Sequence, residues 1–528
     1  AIVQAPLTSP VSIMRIAIRV DASPVMGLGH LQRCLALAAA LRETGTESVF
    51  VTRDLGVDAA DRIARAGHPV HRLPPPGNVV PIETGPPQAP WAQVAWTVDA
   101  GQTCDGLAGM AVQWVVVDHY AFDASWHRMV AVRLATRIAV IDDLADRPLD
   151  AALLIDQNLH EDHRRKYNGV LAHPTPLLAG PRFALLDAAY AAAQRCKPGQ
   201  PVRSIGIFMG GTDARYLSAS ALRACREEAG FEGNIEIVTT RANPRHHELI
   251  ALAGQWPRTR VSLDLPHLAG FFGAHDVQIG ASGGAMWERC CIGAPTLAVV
   301  AAENQRTVID ELARLGAVVT PDPIDDTSPN ALARALRPLL DDAGLRKRLS
   351  ATTQTLVDGL GARRVAAWLT AAHLRVRPAT PADSVTVHSW RNHPSTRSTS
   401  RNAAPIPFDE HARWFERVLT DPDRLLLIGA IGELAVGVVR FDRQGSETCE
   451  VSIYLDPAMH GLGIGLALLQ AGEAHALAHG RPFVKLLATV LPGNIASNRL
   501  FESAGYHFNG DVLEKTAIHP CIPEGNAP

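Results

Sequence analysis

The sequence lacks the features that would place it in a membrane or in an oxidising compartment. Its eight cysteines are scattered over 528 residues and form no C-x-x-C pair, so neither a disulfide framework nor a structural zinc site is predicted. No apolar run reaches the ~18–20 residues that a membrane-spanning helix needs. Residues 1–13 lack the basic and apolar segments of a signal peptide, and we expect a loose extension there. The predicted location is cytoplasmic.

An excess of charge of one sign is also missing. The net charge is −3, so the sequence gives no reason to predict binding to nucleic acid or to an anionic membrane surface. Hydrophobic residues make up 47% of the chain and charged residues 20%, which is typical of a globular protein. An anionic ligand must therefore be held by local groups, such as helix N-termini.

The length predicts about three domains, and the pattern of strands and helices divides the chain accordingly. Apolar strands alternate with helices through residues 14–200 and again through residues 201–372, which indicates an α/β fold with two Rossmann-like halves and a ligand cleft between them. Within the second half, residues 330–349 are predicted as one helix. From residue 374 to 518 the strands come in pairs, which favours a mixed, mostly antiparallel α+β domain. Residues 519–528 are expected to form a tail.

A histidine follows a glycine-rich turn in the first half. The predicted strand Ile16–Val20 leads through Gly27 and Gly29 to His30, and a helix is predicted from Leu31 to Arg42. The start of a helix favours phosphate and disfavours an imidazolium. A neutral His30 beside a bound diphosphate can deprotonate water. The alternative is that His30 only caps the helix or packs beneath the loop.

Two glycine pairs end strands in the second half, and each precedes a helix. Gly210–Gly211 and Ser282–Gly284 can present backbone amides to phosphate. Glu288 lies about one helical turn beyond Gly284, where a carboxylate can accept both hydroxyls of a ribose. A solvent-facing glutamate is the alternative. Asn304–Gln305 follow the next strand at its carboxyl end, where open α/β sheets place ligands.

A metal site has little support in the sequence. The acidic pair Asp142–Asp143 follows a predicted strand and is a candidate Mg²⁺ ligand, but acidic pairs at such positions are more often turn or cap residues. No Walker motif is present. We therefore predict a nucleotide site without a metal ion.

The last domain carries a glycine-rich loop between a strand and a helix predicted over residues 466–478. Consecutive amides at such a helix start can wrap a pyrophosphate, as coenzyme A requires. Glu450, on the strand before the loop, is the candidate general base, with a cross-strand surface charge as the alternative. The predicted coenzyme A contacts in the loop are Leu455, Gly461, Leu462, Gly463, Ile464 and Gly465.

Taken together, the first 370 or so residues resemble the hydrolase of the pseudaminic acid pathway, which removes UDP from UDP-2,4-diacetamido-2,4,6-trideoxy-β-L-altropyranose. The resemblance implies a GT-B pair of Rossmann domains, shared with the N-acetylglucosaminyltransferase that makes lipid II, and metal-independent chemistry. The similar segments are Arg19–Ser23, Gly27–His30, Arg33–Leu35, Val117–Tyr120, Ile141–Asp143, Leu178–Leu185, Gly210–Asp213, Ser282–Glu288 and Asn304–Gln305.

The resemblance also implies roles for individual residues. The catalytic histidine, tyrosine and asparagine of that family correspond to His30, Tyr120 and Asn304. Water activated by His30 would attack the anomeric carbon with inversion and loss of UDP. UDP is a good leaving group, so one base suffices if backbone dipoles stabilise the charge that develops on it. The residues assigned to substrate binding are Asp21, Gly29, Arg33, Gly211, Ser282, Gly283, Gly284, Glu288 and Gln305.

Residues from about 374 to 515 resemble the GNAT acetyltransferases, which implies acetyl-CoA as the acetyl donor and Asn494 and Ser497 as further coenzyme A contacts. The segments Trp390–Asn392 and Glu410–Phe415 are similar to the branch that N-acetylates UDP-amino sugars in the same pathway. Two positions depart from the family. His460 stands where the loop usually begins with Arg or Gln, and Phe501 replaces the usual general-acid tyrosine.

Three functions therefore remain open. The first is a fusion that acetylates a UDP-4-amino sugar and hydrolyses a UDP-diacetamido sugar, which are successive steps of one pathway. The second is a GT-B glycosyltransferase, in which an acceptor replaces water. The third makes the last domain a regulatory module that binds acetyl-CoA without turnover. The expected partners are UDP-amino sugars, UDP and acetyl-CoA.

Overall fold

The computed structural model describes residues 13–77, 85–196, 198–479 and 483–516. The predicted tail and nearly all of the predicted N-terminal extension lie outside these ranges. The chain divides into two compact units. The first contains residues up to Arg42 together with Glu47–Val365, and the second contains Glu43–Thr46 together with residues from Ala366 onward. Within the described ranges, no helix has the length and apolar character needed to cross a membrane.

The first half of the first unit is built on a seven-stranded parallel sheet. Its strands are β1 (Arg15–Val20), β2 (Glu47–Arg53), β3 (Val70–Leu73), β4 (Trp114–Asp118), β5 (Arg137–Ile141), β6 (Leu153–Asp156) and β7 (Leu177–Ala179). Its helices are α1 (Gly29–Glu43), α2 (Ala59–Arg65), α3 (Trp96–Gly106), α4 (Ala124–Leu134), α5 (His163–Lys166) and α6 (Ala188–Ala192). The strand order is β3-β2-β1-β4-β5-β6-β7, which places β1 and β4 side by side at the centre.

The second half of the first unit contains a five-stranded parallel sheet. Its strands are β8 (Ser204–Phe208), β9 (Asn234–Thr239), β10 (Thr259–Leu263), β11 (Val277–Ala281) and β12 (Thr296–Val299), in the order β10-β9-β8-β11-β12. Its helices are α7 (Leu217–Arg223), α8 (His246–Ala253), α9 (Ala269–Ala274), α10 (Gly284–Ile292), α11 (Arg306–Arg314), α12 (Pro329–Asp341) and α13 (Ala343–Leu356). The chain passes from the first unit to the second within α14 (Gly361–Thr370). The two parallel sheets confirm the predicted pair of Rossmann-type folds.

The apolar strand sequences explain why these sheets are parallel and central. Ile16–Val20 of β1 and Val115–Val117 of β4 are buried throughout, because helices cover both faces of the sheet. On β11, Val277 and Ile279 are likewise fully buried.

The second unit contains a seven-stranded mixed sheet. Its strands are β13 (Arg375–Pro378), β14 (Arg424–Ile431), β15 (Leu434–Gln444), β16 (Thr448–Leu455), β17 (Lys485–Ala488), β18 (His507–Asn509) and β19 (Val512–Thr516), in the order β13-β14-β15-β16-β17-β19-β18. Among the described strands of this sheet, only β16 and β17 pair in parallel, which confirms the predicted mostly antiparallel domain. Its helices are α15 (Ser384–Asn392), α16 (Pro394–Arg397), α17 (Phe408–Thr420), α18 (Ile464–His479) and α19 (Ile495–Ser503).

The segment 330–349, predicted as one helix, is divided between α12 and α13. Asp342 separates them with an extended backbone, and its carboxylate accepts a hydrogen bond from the backbone N–H of Leu345 at 2.9 Å. This carboxylate satisfies one of the free amides at the start of α13, so the local cap overrides the helix-forming composition of the segment. The prediction of a single helix was wrong.

Replacing Asp342 tests this cap. Asp342→Ala should lower the stability of the first turn of α13 by about 1 kcal/mol, which corresponds to roughly fivefold faster amide exchange. Hydrogen–deuterium exchange of peptides covering residues 343–356 measures the change. Asp341→Ala, which alters the neighbouring carboxylate at the end of α12, is the control. Equal acceleration in both variants would contradict the capping role.

Candidate active sites

His30 lies in the first turn of α1 and is bound to a carboxylate from the adjacent strand. Its Nδ1 is 2.6 Å from Oδ1 of Asp118, the last residue of β4. Asp118 lies opposite Val20, so the ends of β1 and β4 bring the two side chains together. A carboxylate at Nδ1 favours the tautomer that carries its proton there and leaves Nε2 as an acceptor. Nε2 of His30 has no hydrogen-bond partner among the described residues and is not sealed from solvent.

Arg33 holds the same carboxylate from one turn further along α1. Its Nε and Nη2 donate to Oδ2 and Oδ1 of Asp118 at 2.6 and 2.5 Å. Burial acts to raise the pKa of Asp118, but the positive charge of Arg33 and the neighbouring His30 outweigh it and hold that pKa well below its usual range. Asp118 is therefore an ionised carboxylate. The guanidinium of Arg33, predicted to bind substrate, is committed to this ion pair.

Tyr120 packs edge-on against His30, with 4.8 Å between ring centroids. Its hydroxyl donates to Oδ1 of Asp143, and Nδ2 of Asn158 donates to the other oxygen at 2.7 Å. Burial and the charge of Asp143 raise the pKa of Tyr120 well above its ordinary value. The structure thus brings together two of the three predicted catalytic residues of the first unit, with Tyr120 as a neutral hydrogen-bond donor.

The acidic pair after β5 is engaged by protein groups. The carboxylate of Asp142 lies 2.7 Å from Nη1 of Arg147, whereas that of Asp143 is held by Tyr120 and Asn158. In the part of the chain that the structure describes, no cluster of three or more His, Cys, Asp or Glu side chains is arranged to hold a metal ion.

Asp21 was predicted to bind substrate, and its placement corrects that prediction. Both oxygens accept hydrogen bonds from the guanidinium of Arg19, at 2.5 and 2.8 Å, and Oδ1 also accepts from the backbone N–H of Arg53 at 2.7 Å. Nε2 of His119 is 3.2 Å from Oδ2. The carboxylate is fully buried, so it stabilises the end of β1. Gly29, by contrast, is exposed at the start of α1.

The loop Ser282–Gly284 connects β11 to α10 in the second half. Gly283 and Gly284 are exposed, and no side chain caps the first turn of α10. Gln305 accepts hydrogen bonds from the backbone N–H groups of Ser282 and Ala301, both at 3.2 Å, so its side-chain oxygen joins two loops. Asn304 beside it is exposed. The amides of the glycines therefore remain available to an anion.

Gly211, the other glycine predicted to bind substrate, follows β8. Its carbonyl accepts a hydrogen bond from the hydroxyl of Thr240 at 2.8 Å, which ties the loop after β8 to the loop after β9.

Glu288 does not face solvent freely, because its Oε2 is buried and has no hydrogen-bond partner within the described ranges. Burial raises the pKa of Glu288 to about 7, against the lowering effect of the Tyr190 hydroxyl. The preceding residue, Trp287, donates its indole N–H to Oδ1 of Asn158 at 3.1 Å. Since Asn158 also holds Asp143, a chain of hydrogen bonds connects α10 in the second half to Tyr120 beside His30.

In the second unit, β16 and β17 part next to the glycine-rich loop. They pair in register only from Thr448 to Glu450, although β16 continues to Leu455. Gly461 and Gly463 both have positive φ, at 79° and 76°, and both are exposed just before α18. The loop backbone is therefore accessible to an anion.

The other residues predicted to contact coenzyme A serve mainly to hold the glycine-rich loop and the following helix in place. The side chains of Leu462 and Ile464 are buried, as is Gly465, so these residues can offer only backbone groups to coenzyme A. The side chain of Asn494 caps α19 by accepting from the backbone N–H of Ser497 at 3.1 Å. These two predicted cofactor contacts are thus used within the helix cap.

Glu450 lies at the last paired position, where the strands part. Its Oε1 is 2.6 Å from Nη2 of Arg401 and accepts from the hydroxyl of Thr489 at 3.2 Å, while Oε2 accepts from the amide of Gln444 at 2.8 Å. The candidate base is therefore ion-paired, although Arg401 itself is mostly exposed.

Phe501, which replaces the expected tyrosine, is only 3% exposed and packs edge-on against Tyr506 at 4.9 Å between centroids. The hydroxyl of Tyr506 donates to Glu473 at 2.8 Å, so it is not a free proton donor. The parted stretch of β16 instead carries Tyr454, whose pKa burial raises well above its ordinary value.

Sequence reasoning missed three residues of these sites: Asp118, Asn158 and Tyr454. For Asp118, the available signal was its position at the end of a buried strand, since ligand-binding groups gather at the carboxyl ends of parallel strands. Asn158 depends on contacts between distant segments and has no comparable local signal.

Comparison with known proteins gives a family match within the second unit. Residues 373–507 match the family model described as an acetyltransferase (GNAT) domain. Two proteins of Campylobacter jejuni subsp. jejuni named acetyltransferase PseH are 27% and 29% identical over 77 residues, which is 15% of this chain and 48% of each relative. The chain thus spans about half the length of the curated relatives it matches.

Two solved structures are similar to parts of the chain at low identity. The spermidine N-acetyltransferase of Vibrio cholerae is 16% identical, with a TM-score of 0.26, and the match covers 28% of this chain and 96% of that one. The calicheamicin glycosyltransferase CalG4 is 16% identical, with a TM-score of 0.43, and the match covers 66% of this chain and 95% of that one. On the strength of the family match and the mixed sheet, the second unit contains an acetyltransferase domain of the GNAT family.

Proposed function

We propose that the chain joins two enzymes that act on UDP-linked amino sugars. The first unit is a metal-independent hydrolase of GT-B type that releases UDP from UDP-2,4-diacetamido-2,4,6-trideoxy-β-L-altropyranose. The second unit transfers an acetyl group from acetyl-CoA to the amine of the UDP-4-amino-sugar precursor. The observation that carries the hydrolase is the pair formed by His30 and the ionised Asp118 at the start of α1.

The His30–Asp118 pair supplies a general base. Nε2 of His30 takes a proton from water while the water oxygen bonds to the anomeric carbon, and the bond from that carbon to the phosphate oxygen breaks. The bonding electrons leave with UDP. The Asp118 carboxylate stabilises the charge that His30 gains when it takes this proton. The exposed amides of Gly283 and Gly284 would stabilise the leaving diphosphate.

The backbone of the second unit supports acetyl transfer. Exposed amides around Gly461 and Gly463 can bind the pyrophosphate of coenzyme A, and the unpaired edge of β16 beyond Glu450 can hold its pantetheine arm. The substrate amine attacks the thioester carbonyl, and the thiolate leaves. Glu450 can accept the amine proton once Arg401 moves from its carboxylate. The name of the two Campylobacter relatives supports this assignment.

Removing the imidazole tests the hydrolase. His30→Ala should lower the rate of UDP release by about 10²–10⁴-fold, because it removes the general base, and Asp118→Asn should also slow the reaction strongly. Release of UDP from candidate UDP-diacetamido sugars, without metal or acceptor, is followed by ³¹P NMR. Both variants should keep full acetyl transfer.

His173→Ala, at a half-exposed histidine that lies beside Asp150, is the matched control and should behave as the wild type. Loss of both activities in His30→Ala, or of neither, would contradict the division of labour. Release of UDP by the wild type only when an acceptor is added would identify a glycosyltransferase instead.

A bulky residue in the loop tests the acetyltransferase. Gly463→Leu should abolish acetyl transfer to a UDP-4-amino sugar, because the side chain would fill the space beside the loop amides, and UDP release should continue. Gly445→Leu is the control, since Gly445 has nearly the same φ, 78° against 76°, and equally open surroundings, but lies in the β15–β16 turn.

Acetyl transfer is measured by release of coenzyme A and by the mass of the product. Equal loss in both glycine variants would show that backbone strain, rather than a blocked pyrophosphate site, is responsible. Binding of acetyl-CoA by the wild type without any acetylated product would identify a regulatory module.

A further inference from the structure

Arg289, in the middle of α10, is a buried cation that has no carboxylate within ion-pair distance among the described residues. Arg289 is only 1% exposed. Nη2 donates to the carbonyl oxygen of Ala281 at 2.5 Å, but Nε and Nη1 have no hydrogen-bond partner in the part of the chain that the structure describes. The other close groups are the sulfur of Met286, at 3.9 Å, and the ring of Phe272, at 5.7 Å from the guanidinium carbon.

Other buried arginines of the same unit are compensated. Arg19 and Arg53 lie against Asp99, and Arg147 lies against Asp142. Arg346 has no carboxylate partner in the described structure, yet its guanidinium donates to the carbonyl oxygens of four residues, Pro198, Gln200, Leu339 and Leu340.

Arg289, by contrast, donates to a single carbonyl oxygen among the described residues, that of Ala281. Burial lowers the pKa of Arg289 to about 10, although the neighbouring Cys290 and Glu288 act to raise it, so the group stays charged at neutral pH. An unpartnered buried charge is strongly unfavourable unless something compensates it.

Further donors without partners lie on the same segment. Ala281, the acceptor for Arg289, immediately precedes the loop Ser282–Gly284. The hydroxyl of Ser282, a residue 7% exposed, is buried without a partner among the residues that the structure describes, and none of their side chains caps the first amides of α10. A cation, a hydroxyl and helix amides are all groups that an anion satisfies.

The packing shows that the guanidinium lies directly beside the end of β11. A Cβ atom at Gly280 would be 2.5 Å from Nη1 of Arg289, so only a glycine leaves room for the charge there. The cation is therefore held next to the strand end that leads into the loop, and solvent is excluded from it.

We propose that Arg289 is the buried counter-charge for the diphosphate of the nucleotide bound at Ser282–Gly284. It is a positioning residue, which acts through the field at the loop and through the Ala281 carbonyl rather than by touching the ligand. The inference rests on the proposed function, because UDP supplies the anion. A buried charge acts through a low dielectric and is little screened by salt, so its effect on a nearby diphosphate is large.

Arg289→Met tests the inference, since methionine is an apolar side chain that removes the charge. Because the wild-type charge is unpartnered, the unfolding temperature of the ligand-free variant should stay the same or rise. The affinity for UDP, measured by isothermal titration calorimetry, should fall about tenfold or more. The affinity for uridine, which has no phosphate, should stay unchanged.

Salt and charge give two further readouts. The ratio of wild-type to variant affinity should persist from about 0.1 M to about 1 M salt, where solvent-exposed charges are screened. Arg289→Lys keeps the charge and should restore most of the affinity for UDP.

Arg346→Met is the matched control. It removes a buried guanidinium whose bonds are satisfied, so it should lower the unfolding temperature and leave the affinity of the folded protein for UDP unchanged.

Four outcomes would overturn the inference: unchanged affinity for UDP in Arg289→Met, equal weakening of UDP and uridine, a lower unfolding temperature or failure to fold, or no rescue by lysine. Absence of UDP binding by the wild type would overturn the nucleotide site itself and this inference with it. Binding of UDP without its release from a UDP-sugar would overturn the hydrolase alone and leave the role of Arg289 standing.

Discussion

The candidate site of the first unit depends on one buried, ionised carboxylate. Asp118 has no contact with solvent, so its charge requires partners, and Arg33 and His30 supply them from the first turns of α1. The same requirement fixes the histidine ring, because only Nδ1 can reach the carboxylate while Nε2 remains an acceptor. The need to neutralise the Asp118 carboxylate therefore determines where α1 begins, which tautomer His30 adopts and the direction in which its Nε2 faces.

The second half of the unit shows the opposite arrangement. Around Ser282–Gly284 the Ser282 hydroxyl and two nitrogens of Arg289 are buried without hydrogen-bond partners among the described residues, and one carboxylate oxygen of Glu288 is in the same state. Buried donors without partners are unfavourable in the free protein, and an anion can satisfy them. A nearly neutral chain can thus hold an anionic ligand, because the positive potential is local and shielded from salt.

The hydrogen bonds from Trp287 to Asn158, and from Asn158 to Asp143, connect these two regions. They run from the helix that carries the glycine loop to the tyrosine beside His30, within one compact unit. In the second unit, the candidate groups for binding an anion are backbone amides rather than charged side chains. There the parting of β16 and β17 and the exposed glycines before α18 leave backbone groups accessible.

The sequence by itself determined the classes of fold, since continuous apolar strands require sheets covered on both faces and paired strands require an antiparallel sheet. It also determined the positions of the glycine loops and of His30, because turns at strand ends are local features. Tertiary structure decided what each polar side chain does. Asp21 is neutralised by Arg19 in the interior, Asp118 rather than Asp21 faces His30, and Asp342 ends a helix that composition would continue. Each of these outcomes depends on which charge or amide lies within about 3 Å, and that distance is set by packing between segments far apart in the chain.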